Sequence, residues 1–78
     1  MTDTTYNGWK NRETWNVALW IGNDEIIYRH AKENKNLGYR KWAARWRDEF
    51  GEHETADGVE WLDRAIDTDR MDEVLAEL

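Results

Sequence analysis

The chain has 78 residues and a formal charge of −6, a length that holds one small domain near the lower limit for folding without staples. It contains no cysteine, serine, glutamine or proline, which excludes disulfides, thiolate zinc sites and serine or cysteine nucleophiles, and fits a reducing compartment. His30 and His53 are the only histidines, so a hydrolytic triad cannot be assembled and a histidine-based metal site would need both.

The N-terminus "MTDTTYNGWK" is polar and has no apolar secretory core; residues 1–8 are expected to be flexible. The longest apolar run, Val17 to Ile21, falls far short of the ~20 residues that span a bilayer. A cytoplasmic domain without a membrane segment is expected. The core must come from a few large side chains: six tryptophans, three tyrosines and one phenylalanine, each able to bury roughly 150–250 Å².

The first predicted helix starts at Arg12 in "NRETWNVALWI" (11–21). Asn11 is its N-cap, Glu13 sits in the first turn where the dipole favours an anion, and Gly22 is a natural stop. Trp15, Val17, Ala18, Leu19, Trp20 and Ile21 cover nearly every direction of the helix, with Asn16 as the polar gap. A helix apolar all round is a buried strut, so the motif reads as architecture.

Asp24 caps a second helix, "EIIYRHAKEN", that ends near Asn36 to Gly38, with Ile27 and Ala31 sharing one face. The third helix is the clearest. Tyr39, Trp42, Ala43, Trp46 and Phe50 follow the spacing of one helical face, Arg40, Lys41, Arg45 and Arg47 lie opposite, and Gly51 ends it. In "EHETADGVEW" the Asp57-Gly58 pair marks a turn, and Val59 and Trp61 alternate with Glu60 as in a short extended piece or small hairpin. Asp67 or Thr68 then caps a last helix whose apolar stripe is Met71, Val74, Leu75 and Leu78, with Asp69, Asp72 and Glu73 in its N-terminal turns. The predicted fold is mainly α: a small single domain, 1–78, of three to four short helices with an irregular or hairpin insert near 52–62.

Charge is uneven. Residues 29–47 hold seven Lys/Arg against Glu33 alone, whereas residues 52–78 hold ten Asp/Glu against Arg64 and Arg70. The basic stretch "YRKWAARWR" suggests a nucleic-acid surface, but its tryptophans share the apolar stripe, whereas stacking on bases needs them outside. The carboxylates Asp57, Glu60, Asp63, Asp67, Asp69, Asp72, Glu73 and Glu77 are candidates to occupy a basic groove on a partner, with electrostatic steering of the encounter. Solvation of helix faces is the competing explanation. "HETAD" is not a HExxH motif, and "DTDRMD" lacks the glycine and terminal glutamate of an EF-hand. No catalytic, cofactor or metal site is expected.

"NRETWNVALWIGND" (11–24), followed by Tyr28, resembles a family of small phage-encoded proteins of uncharacterised function with the pattern N-x-E-T-W-N-V-A-L-W-I-x-N-D-E. "TADGVEWLDRAIDTDRMDEVLAEL" (55–78) is similar to that family's closing T-x-D-G-V-x-W turn and short acidic helix, with Ala56 and Arg64 standing where a turn-former would be. The two matches cover about half the chain. The resemblance implies a phage setting and supplies no reaction or functional residues. Small acidic phage proteins often bind and block a host machine. The expectation is a non-enzymatic protein that inhibits a host complex handling nucleic acid, of anti-CRISPR or anti-restriction type, through its acidic surface. The alternative is a structural or nucleic-acid-associated accessory protein using the basic helix 39–50.

Overall fold

A computed structural model describes residues 8–78; the expected flexibility of residues 1–8 therefore lies almost wholly outside the described residues. Four α-helices are present among them: α1 (Arg12–Asn23), α2 (Glu25–Glu33), α3 (Tyr39–Phe50) and α4 (Thr68–Ala76). A 3-10 turn, Lys35–Leu37, joins α2 to α3. The mainly helical class and the insert near 52–62 are as expected. The insert is a tight hairpin with one antiparallel bridge, Glu54 to Glu60, flanked by hydrogen bonds from Thr55 N to Val59 O and from Trp61 N to His53 O.

The helix starts follow the predicted caps. Asn11 Oδ1 accepts from Thr14 N, Asp24 Oδ1 from Ile26 N and Ile27 N, and Asp67 Oδ1 from Arg70 N, each satisfying an amide that has no partner within its helix. Gly22 does not stop α1. The helix runs on to Asn23, and the Asp24 amide still donates to Trp20 O, so one residue ends α1 and caps α2. The second helix is also shorter than expected, its last turn tightening into the 3-10 segment.

The start of α3 has no side-chain cap of its own. The Tyr39 amide instead donates to Asp72 Oδ1 of α4 at 2.7 Å, so a carboxylate 33 residues away closes the helix end. Gly38 at this junction has φ +82, and a Cβ there would lie 3.3 Å from Asp72 Oδ1. Glycine is needed both for the backbone angle and for the close approach.

The core is aromatic. Trp42 and Trp61 are fully buried and Trp46 nearly so, joined by Tyr39, Val17, Ile21, Ile27, Ala31, Val59, Ile66, Met71 and Leu75. Trp42 stacks on Trp46 at 6.2 Å, and Trp61 stands edge-on to Trp42 at 5.5 Å, both favoured geometries. Burial pushes the Tyr39 hydroxyl well above the ordinary phenol range, and it donates to Trp61 O at 2.6 Å, tying the hairpin's last residue to the start of α3.

Two expectations about burial fail. Phe50 shares the α3 stripe but is 49% exposed, because it lies beyond the cover of the core at the helix end. In α1 the buried residues are Thr14, Asn16, Val17 and Ile21, while Trp15, Ala18, Leu19 and Trp20 are only half-buried. Asn16, the expected polar gap, is 0% exposed. The helix is therefore not a strut greasy on every side. It buries a face that mixes polar and apolar residues.

Candidate functional site

The buried polar residues of α1 hold two distant segments. Thr55 Oγ1 donates to Asn16 Oδ1 at 2.6 Å, and Asn16 Nδ2 donates to Asp57 Oδ2 at 2.8 Å. The Trp20 indole N–H reaches the same Asp57 oxygen at 2.9 Å. The hydrogen bonds from Asn16 and then from Trp20 hold the Asp57 carboxyl below the usual carboxylate range. On the other side, Thr14 Oγ1 donates to Asn11 Oδ1 at 2.7 Å and accepts from Asp67 N at 2.9 Å, while Asn11 Nδ2 donates to Ala65 O at 2.6 Å. Thus "NRETWN" docks the hairpin through Asn16 and the entry to α4 through Asn11 and Thr14. A buried network satisfied in this way fixes geometry.

This docking leaves a groove of about 790 Å³ between the hairpin, the end of α3 and the α1–α2 junction. Trp20, Ile27, Trp46 and Trp61 line it, together with Ile26 and Phe50. Ile26 at 63% and Phe50 at 49% are the two most exposed large hydrophobics among the described residues, and both face this one depression. The remaining wall carries Asp24, Glu52, Glu54 and Glu60, with His53, and no lysine or arginine.

Two of these carboxylates are poorly placed for folding. The hydrogen bonds that flank the Glu54–Glu60 bridge make it a non-hydrogen-bonded pair, the type in which opposed side chains lie closest. Like charges directly opposed in this way are destabilising. Glu52, Glu54 and Glu60 make no ion pair among the described residues. Arg47 shares a smaller depression with Glu60, but its ion pair is with Asp48 at 3.3 Å.

Of the eight carboxylates singled out in the sequence, Glu60 alone lines the groove. Asp57 anchors the hairpin, Asp67 caps α4, Asp72 caps α3 and Asp63 Oδ1 accepts from Ala65 N. Glu73 pairs weakly with Arg70 at 3.4 Å. Asp69 and Glu77 are exposed. Glu52, Glu54, Ile26 and Phe50 were not singled out as site residues. The signal for the two glutamates was the alternation across the hairpin, which puts residues 52, 54 and 60 on one side.

The groove's one hydroxyl, on Thr55, donates to Asn16 and accepts from Val59 N. His30 is held between groups: its Nδ1 accepts from the Trp42 indole N–H at 3.0 Å, so Nε2 carries the proton and faces Glu49 at 3.1 Å. Hydrogen bonds from Arg45 and then His30 hold the Glu49 carboxyl low. Trp42 and Trp46 are buried, so of the aromatic residues on the α3 stripe only Phe50 is exposed. The indole N–H groups of Trp46 and Trp61 have no hydrogen-bond partner among the described residues, and nothing in the structure explains this. Among those residues no group of three or more acidic or histidine side chains is placed to hold a metal ion, and no helix is long and apolar enough to cross a membrane.

A family model described as "Family of unknown function (DUF7249)" matches residues 2–78. The chain belongs to this family. No curated protein and no solved structure matches the chain.

Proposed function

We propose that this member of the family is a non-enzymatic binding protein that engages a basic surface of a host protein complex through its carboxylate-rich side. The setting is the cytoplasm of a phage-infected cell, and the target class is a nucleic-acid-handling defence system of CRISPR or restriction type. The resemblance of residues 11–24 and 55–78 to small phage proteins supports the setting. The observation that carries the binding role is the set of uncompensated carboxylates, Glu52, Glu54 and Glu60, gathered beside the exposed Ile26 and Phe50. Folding opposes the Glu54–Glu60 juxtaposition, and a cationic partner relieves it. A net charge of −6 adds long-range steering toward such a partner.

The test is to recover what co-purifies with the tagged chain from expressing cells, and then to measure binding of that complex by surface plasmon resonance at two salt concentrations. Affinity should fall with salt, chiefly through a slower on-rate. The Glu52→Gln/Glu54→Gln/Glu60→Gln variant should weaken binding, with Asp69, Glu73 and Glu77 as a second set. A complex indifferent to salt, or one lost instead on reversing Arg40 and Lys41 of α3, would overturn the reading and favour use of the basic helix.

A further inference from the structure

We infer that the groove between α1–α2, the end of α3 and the hairpin receives one amphipathic segment of a partner protein: a large apolar residue seated against Ile26 and Phe50, with lysine or arginine beside it. The inference rests on the acidic-surface reading and adds an occupant to it. Three observations select that occupant. The two most exposed large hydrophobics among the described residues line one depression with Trp20 and Trp46, and convergent exposed apolar surface marks a contact site. Ile26 and Phe50 are 63% and 49% exposed, so their apolar surface is open to a side chain presented by another chain. The polar part of the wall is anionic, with Asp24, Glu52, Glu54 and Glu60 and no lysine or arginine, so the complementary segment is cationic beside its apolar anchor.

Charge argues against a second copy of the chain as the occupant. A second copy set groove to groove would bring two sets of these carboxylates together. It would add repulsion to a pair, Glu54 and Glu60, that is already opposed within one chain.

The experiment uses the full chain and three fluorescent synthetic peptides of equal length, one of leucine and lysine, one of serine and lysine, and one of leucine and glutamate. Anisotropy titrations should show binding of the leucine–lysine peptide, much weaker binding of the serine–lysine peptide and none of the leucine–glutamate peptide. Ile26→Ser should weaken the leucine–lysine complex about tenfold or more, as loss of a contact at the centre of an interface does. Phe50→Ser should act in the same direction. Ile26→Ser is the cleaner variant, since the Phe50 ring also packs against Trp46, tilted, at 4.3 Å; the thermal midpoint of Ile26→Ser should confirm that the fold is intact. The triple glutamate-to-glutamine variant should weaken the complex and flatten its salt dependence.

Equal binding of the two lysine peptides, or full binding by a folded Ile26→Ser variant, overturns the groove proposal and leaves the acidic-surface reading standing. Undiminished binding by the triple glutamine variant overturns that reading. Failure of the wild-type chain to bind the leucine–lysine peptide overturns the proposed occupant. So does a concentration-dependent dimer in sedimentation that Ile26→Ser abolishes, which would assign the groove to a second copy.

Discussion

Two regions break the rule of polar outside and apolar inside, in opposite directions. In α1, Thr14 and Asn16 are fully buried, while Ile26 of α2 and Phe50 of α3 are largely exposed. The buried polar pair has every partner it needs: Asn16 meets Thr55 and Asp57, and Thr14 meets Asn11 and the amide of Asp67. Among the described residues the exposed apolar pair is largely uncovered, and it sits beside Glu52, Glu54 and Glu60, which make no ion pair there. The first inversion is complete within the molecule and sets how the hairpin and α4 are placed. The second has no counterpart among the described residues. Buried polarity here specifies the fold, and exposed apolarity is the better marker of a contact.

The sharpest way to break the comparison is to remove the polar side that is meant to be structural. Asn16→Ala leaves the buried Thr55 hydroxyl without its acceptor and removes one hydrogen bond to the exposed Asp57 carboxylate; an unsatisfied buried group costs about 1–3 kcal/mol. A loss of about 2–3 kcal/mol is expected, seen as a drop of about 10 °C or more in thermal midpoint for a domain of this size. Thr55→Ala should be less than additive with it, because the two remove the same hydrogen bond. Little change in midpoint, with binding lost, would move Asn16 from architecture to recognition.

A second effect, of about 1–2 kcal/mol, is expected for Gly38→Ala. The residue holds φ +82 and would place its Cβ 3.3 Å from Asp72 Oδ1, so the substitution adds backbone strain and disturbs the carboxylate that caps α3. Asp72→Ala should cost about 1 kcal/mol as the loss of a helix cap. Chemical denaturation of both variants measures this. An unchanged midpoint for Asp72→Ala would mean that Asp72 is free to serve a binding surface with the other exposed acids.

These variants also show what the sequence could and could not reveal. Each helix N-cap predicted from the sequence is found in place, because capping joins residues two or three apart and is local. The bounds of α3 were legible because Tyr39, Trp42, Ala43 and Trp46 repeat on one face. Asn16 was misread because a helical wheel knows only its own helix, and its partners lie 39 and 41 residues away. Asp72 was read as surface charge for the same reason: its partner is an amide on another helix. The groove was not legible because α1, α2, α3 and the hairpin each supply only part of its wall. Phe50 fits the stripe of its helix, yet nothing in that stripe says where the core ends.

A smaller effect is expected from pH. The Asp57 carboxyl is held low by hydrogen bonds from Asn16 and Trp20. Its folded-state pKa is depressed, so the stabilisation is present above the ordinary carboxylate range and is lost as pH falls through the folded value. Asp57→Asn should therefore be less stable than the wild type near neutrality, and the difference should shrink under acid conditions. Midpoints of both proteins across a pH series, followed by tryptophan fluorescence, check the sign. A difference that grows toward acid would mean that Asp57 is not the group tying the hairpin to Trp20.

The smallest effect on stability is expected at Ile26, and it is the most informative about the comparison. Its side chain is 63% exposed and is not among the partly buried hydrophobics packed on the core, although its amide takes part in the Asp24 cap. Exchange for serine leaves that backbone bond in place, and surface substitutions of this kind usually change stability by less than about 0.5 kcal/mol. Asn16→Ala and Ile26→Ser thus make a paired test. The polar residue should be needed to fold, and the apolar residue should be dispensable for folding while required for binding. Thermal midpoints and peptide titrations on the same two proteins separate these roles. If Ile26→Ser lowers the midpoint as far as Asn16→Ala does, Ile26 is part of the core in solution. The exposure of Ile26 would then say nothing about a partner, and the contrast between the two regions would collapse.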